Sequence, residues 1–183
     1  MASPPDGTRP RAAIAGAPAR EPSRADLVVR AARADDLETV VRLRLALLRE
    51  HGDHPIYGRL RADAVERARS LYAAQLASEV ETIFLAEQAG DAIGILRCAE
   101  SHGSPLLHPA RYCYVSSAYV IPAWRRRGVL KRLLAAAERW CEERELGEMR
   151  LHNAPDNARA SASWEALGFR TVEVLRVRRV GGD

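Results

Sequence analysis

The stretch WRRRGVLKRLL, Trp124 to Leu134, gathers cations around a turn: Arg125, Arg126, Arg127 and Lys131 flank Gly128. The segment before it, RYCYVSSAYVI, is β-branched and aromatic and halts at Pro122, which cannot extend a strand ladder. The segment after it carries Val129, Leu130, Leu133, Leu134, Ala137 and Cys141 at the spacing of one helix face. A strand, a short turn and a glycine ahead of a helix leave several backbone N–H groups unpaired at the helix N-terminus, where the macrodipole also favours anions. That arrangement is a phosphate cradle. Gly128 lets a ligand approach the backbone with no Cβ in the way, and the cations add charge at the same point. By itself, a basic cluster at a helix start also fits a plain solvated face.

The elements that must hold this turn follow from the rest of the chain. At 183 residues and 47% apolar content there is enough for one domain with a real core. Residues 1–25 are rich in Ala, Pro, Gly, Ser and Arg without periodicity and are expected to be a flexible tail, with a single domain over residues 26–183. Asp26 to Ala32 reads as an edge strand, and Asp35 with Glu38 as a capping box before a helix bearing Leu37, Val41, Leu45 and Leu48. That helix should stop near His51 and Gly52. After the loop HGDHPIYG come a helix from about Ala62 to Leu76 and a hairpin of ETIFLAEQ and AIGILRCAE turning at Ala89, Gly90 and Asp91. The last third reads as a strand MRLHN, a turn Ala154-Pro155-Asp156, a helix from Asn157 to Leu167 stopped by Gly168, and a strand from Phe169 to about Arg178. The fold class is therefore α/β, an α+β mixed sheet.

Composition bounds the function classes. No run of about 18 apolar residues lacks a charge, and the N-terminus lacks the apolar core of a secretory signal, so a cytoplasmic protein with no membrane partner is expected. Cys98, Cys113 and Cys141 are widely spaced, with no CxxC, and read as buried thiols. His51 and His54 with Asp53 fit no standard metal site, and no metal is expected. The net charge is +4 and Lys131 is the only lysine. An arginine-dominated pI of 9.3 reflects codon usage as readily as partners, so it is discounted as evidence for nucleic acid, although a basic surface suits anionic ligands.

A second motif, NARASASWEALGF, runs from Asn157 to Phe169. Together with the first it resembles the GNAT superfamily of acetyl-CoA-dependent N-acetyltransferases. Arg125-x-x-Gly128-x-Leu130 stands where the family has R/Q-x-x-G-x-G/A after its fourth strand. Asn157, Ala160, Trp164, Gly168 and Phe169 fall at the spacing of N-x-x-A-x-x-x-Y-x-x-x-G-F, and VVRAARADDLETVVRL is similar to the family's first strand and helix. The resemblance spans residues 26 to 180. It implies a twisted mixed sheet whose fourth and fifth strands splay apart to admit acetyl-CoA. Pantetheine would pair with backbone near Ala118, Tyr119 and Val120. The pyrophosphate would sit on the amides of Arg126, Arg127, Gly128, Val129, Leu130 and Lys131, with Arg125 beside them and Asn157 and Trp164 also near the cofactor.

Three positions depart from the family pattern. Leu130 replaces a small residue, which binding tolerates if its side chain turns into the core. Ser116 and Ser117 stand on strand four where many members place acids. Trp164 replaces the tyrosine that often protonates the departing thiolate. The implied chemistry is direct attack of an amine on a thioester, which needs a neutral amine and close orientation. His152 is the candidate base, since imidazoles titrate near neutrality; some family members that modify protein N-termini carry a glutamate there. A solvent-facing strand histidine is the plainer alternative. Glu50 and Asp53 are candidates to hold a cationic amine, Tyr57 to stack on the substrate, and Ser116 and Ser117 to line its path, with the loop around His102 and His108 contributing. The substrate is left open between a small-molecule amine and a protein amine, and a homodimer is compatible. Two other classes stand beside the enzyme: a fold-sharing module that binds acyl-CoA without turnover, and an arginine-rich nucleic-acid binder with steep salt dependence.

Overall fold

The hairpin is the backbone of the sheet. Strands β2 (Glu81–Gln88) and β3 (Asp91–His102) pair antiparallel, joined through Ala89 and Gly90, both left-handed at φ 51 and 87. Two left-handed residues give the turn a twist that matches the strands, which is why a glycine sits there. The computed structural model describes residues 27–178, Val180 and Gly181, so the tail expected over residues 1–25 lies outside the described residues.

The remaining elements are β1 (Leu27–Ala31), α1 (Leu37–Glu50), α2 (Ala64–Leu76), β4 (Arg111–Val120), α3 (Val129–Glu143), β5 (Met149–Leu151) and α4 (Ala158–Ala166). The sheet order is β1-β2-β3-β4-β5, antiparallel except for the parallel pair β4 and β5. Alternation along β2 and β3 buries both faces of the sheet. Ile83, Leu85 and Ile95 meet Val40, Leu43 and Tyr72 of α1 and α2, while Phe84, Leu96 and Cys98 share a core with Leu133, Ala137 and Trp140 of α3 and Trp164 of α4. All three cysteines are buried free thiols. No described helix is long and apolar enough to cross a membrane.

Two expectations are corrected. The capping role falls to Asp36, whose carboxylate accepts the Arg33 N–H at 2.7 Å and pairs with Arg30, and Glu38 instead binds Arg69 of α2. The expected strand from Phe169 to Arg178 does not form among the described residues. Its apolar side chains have no face to cover: Val172 and Leu175 are 87% and 64% exposed. Strand propensity needs a paired edge to act on, and β5 offers only three residues.

Candidate active site

Beyond Val115 and Leu151, the last paired residues of β4 and β5, the two strands part. A bulge accompanies the separation: Arg97 faces Ser116 and Ile95 faces Tyr119, so Ser117 and Ala118 together stand opposite Leu96. Ser117 takes up the extra residue in a left-handed conformation, φ 54, and such bulges bend a strand and re-aim its side chains. At the far end the Ile121 N–H bonds the Ile93 carbonyl at 2.9 Å. Counting back by alternation, the main chain of Ile121 and Tyr119 faces β3, and that of Ala118 and Val120 faces the gap. Tyr119 is thereby corrected as a main-chain partner for pantetheine, because its peptide groups belong to the β3 ladder.

The turn after β4 has the donors of an anion site. Among the described residues, the amides from Arg126 to Lys131 make no main-chain hydrogen bond, and the first helical bond of α3 runs from Arg132 N–H to Gly128 O at 3.1 Å. Arg126 and Gly128 are both left-handed, φ 62 and 82, which curls successive N–H groups as in anion-binding nests. A Cβ built on Gly128 would meet nothing within 4 Å, so the space over the cradle is open. Val129 is buried and the Leu130 side chain packs on the core, leaving the amides outermost. The donor set suits a diphosphate.

The cations divide their work. Arg127 lies over the Trp124 ring at 5.2 Å, and Arg126 and Lys131 are exposed. Arg125 is committed elsewhere: its Nε–H donates to the Val120 carbonyl at 2.9 Å and its Nη2 donates to both Glu50 oxygens at 2.7 and 2.6 Å. Tyr119 adds an O–H donated to Glu50 at 3.1 Å. Burial, and then this hydrogen bond, hold the Tyr119 phenol above its usual range. Arg125 therefore ties the end of β4 to the end of α1.

A cavity of about 330 Å³ opens beside this tie, lined by Glu50, His51, Asp53 and His54 from α1 and its following loop, and by Ala154, Asp156 and Asn157 from the β5–α4 loop. Glu50 is compensated by Arg125, whereas Asp53 and Asp156 make no ion pair among the described residues. The cavity lining is thus acidic, with two carboxylates that no described cation compensates. The loop wall is ordered from within. His54 Nδ1 accepts the N–H groups of Ile56 and Tyr57 at 3.2 and 3.1 Å, and its ring stacks on Tyr57 at 4.5 Å. Gly58 allows the return, since a Cβ there would lie 1.9 Å from the Gly52 carbonyl oxygen. One face of Tyr57 is accordingly occupied by His54.

His152 follows directly on β5, and its Nδ1 lies 2.9 Å from the Tyr114 hydroxyl. Ser116 accepts a hydrogen bond from Arg97 at 3.0 Å, and Arg97 is paired with Glu81. Asn157 caps α4, its Oδ1 accepting the Ala160 N–H at 3.0 Å. Trp164 is 9% exposed and packs edge-on against Phe169 with centroids 5.3 Å apart. Its indole N–H donates but does not ionise, so its part is packing. Trp164→Phe is expected to keep CoA affinity and measurable turnover, with any loss below about a hundredfold, the ceiling for one hydrogen bond to a charged group; single-turnover rates check this. Trp164→Ala should cost about 3–5 kcal/mol of stability in a urea titration. Tyr114, Arg97 and Asp156 were not singled out from sequence. Only Asp156, in a turn directly before Asn157, carried a local signal.

Residues 45–169 match the model of the Acetyltransferase (GNAT) family. The aminoglycoside N(6')-acetyltransferase type 1 of Salmonella typhimurium is 32% identical over 97 residues, covering 49% of this chain and 63% of that protein, and the Salmonella enteritidis enzyme of the same name matches equally. The match thus spans less than two thirds of these relatives. Among solved structures, AAC(6')-Iy in complex with the bisubstrate analog CoA-S-monomethyl-acetylneamine superposes with a TM-score of 0.68 at 25% identity, covering 85% of this chain and 99% of that one. A predicted acetyltransferase from Clostridium acetobutylicum, solved with acetyl-CoA, gives 0.68 at 19% identity over 83% and 96% of the two chains.

Proposed function

From a chain that belongs to the acetyltransferase (GNAT) family, we infer an enzyme that transfers the acetyl group of acetyl-CoA to a primary amine of a small polycationic substrate, of the aminoglycoside class. The observation that carries the reading is the placement of an acidic cavity beside a strand gap that ends in a turn of unpaired amides. The relatives named as aminoglycoside acetyltransferases support the substrate class.

Acetyl-CoA, when bound, supplies the thioester. The chain's own residues do the rest. The amides of Arg126 to Lys131 would hold the pyrophosphate, and the gap-facing peptide groups of Ala118 and Val120 would hold pantetheine as an added strand. Arg125 occupies one of those carbonyls and so fixes the strand end. Asp53 and Asp156 would draw ammonium groups into the cavity, and orientation there supplies much of the acceleration. His152 would accept the proton that the attacking nitrogen sheds.

Asp53→Asn and Asp156→Asn should each raise the KM for an aminoglycoside about fivefold, the weight of one exposed charge interaction, and leave CoA affinity unchanged. Steady-state kinetics with a neomycin-type substrate, alongside a short polyamine and an N-terminal peptide, test the reading. A preference for the peptide with no effect of the two aspartates would place the substrate class elsewhere.

A further inference from the structure

We propose that Tyr114 and His152 form a two-residue proton relay, carrying the proton released by the attacking amine to the departing sulfur; this rests on the acetyl-transfer reading above. The two side chains come from adjacent strands where β4 and β5 part: Tyr114 is paired with Arg150, one position before the last pair of Val115 and Leu151, and His152 follows Leu151. Their Oη and Nδ1 atoms are 2.9 Å apart, and the ring centroids 5.6 Å. His152 stands two residues before Ala154, which lines the cavity. Trp164 leaves the acid role open, because its indole N–H does not ionise.

The balance closes within the pair. As the amine nitrogen forms the C–N bond and the C–S electron pair departs on sulfur, His152 takes the ammonium proton at Nε2 and passes its Nδ1 proton to Tyr114 Oη. Tyr114 in turn gives its own hydroxyl proton to the thiolate. One proton enters at the imidazole and one leaves at the phenol, so neither residue ends the step charged. The reset is a change of imidazole tautomer through solvent: water takes the Nε2 proton and a proton is restored at Nδ1. The groups around Tyr114 are Tyr57 of the α1–α2 loop, Arg97 of β3, Tyr112 of its own strand and His152 of β5. Burial holds the Tyr114 phenol above its usual range, so it carries its proton throughout neutral pH.

Two measurements decide it. Nitrogen NMR of histidine-labelled protein without any ligand, with the His152 signal identified by its loss in His152→Gln, should show one ring tautomer in the natural chain and a mixture in Tyr114→Phe. Single-turnover acetyl transfer should fall about a hundredfold in Tyr114→Phe and at least as far in His152→Ala, with CoA affinity kept in both. Residues that act as one relay lose no more together than the worse of them alone. The double variant should therefore match His152→Ala. Additive losses, or a Tyr114→Phe protein with unchanged rate and tautomer, would overturn the relay while natural-chain turnover upheld the acetyltransferase reading. A natural chain that binds CoA and acetylates no amine would overturn both.

Discussion

Gly128→Asp is expected to abolish CoA binding in a protein that still folds. The residue sits at φ 82, where an L side chain costs about 1–2 kcal/mol, and a Cβ there would meet no protein atom within 4 Å. Packing therefore does not suffer. The new carboxylate would instead stand in the mouth of the amide cradle, where it adds a negative charge against the pyrophosphate and offers its own oxygens to the N–H groups of α3. Gly128→Ala separates the two effects, since it carries the backbone strain without the charge and should weaken binding by roughly tenfold. Calorimetry on both variants, with thermal melts to confirm the fold, gives the ordering. Unchanged CoA affinity in folded Gly128→Asp would remove the cradle from the binding site.

His152→Ala should lower acetyl transfer by about 10² to 10⁴, with most of the loss on the acidic side of the pH profile. The sign follows from the proton count. At low pH the amine is protonated and must lose a proton to a base before its nitrogen can attack, whereas at high pH the neutral amine attacks unaided. CoA affinity should not change, because His152 belongs to the β5 edge and not to the amide turn. Normal rates for His152→Ala from pH 6 to 9 would take it out of the mechanism.

What could be read from sequence was what is local. The Gly128 turn and the helix beginning at Asn157 each declare themselves within a few residues, because a glycine turn and a helix start are properties of short segments. The β2–β3 hairpin was legible for the same reason. Contacts that join distant segments were not. Arg125 read as a phosphate ligand, yet its guanidinium binds Glu50, 75 positions away. Tyr114 is 38 positions from His152, and no spacing rule links them. Tyr119 read as a main-chain partner until the bulge at Ser117 reversed the alternation of the strand. The segment after Phe169 failed in the opposite way: its propensity is for a strand, and no described strand lies beside it to pair.

The account stands most directly on whether an acetyl group moves. Purified protein would be incubated with acetyl-CoA and an aminoglycoside, and the antibiotic examined by mass spectrometry. The account predicts a single added acetyl group on an amine, formed in proportion to free CoA and lost with Gly128→Asp. Tight CoA binding with an unmodified aminoglycoside and unmodified amines across the panel would contradict it.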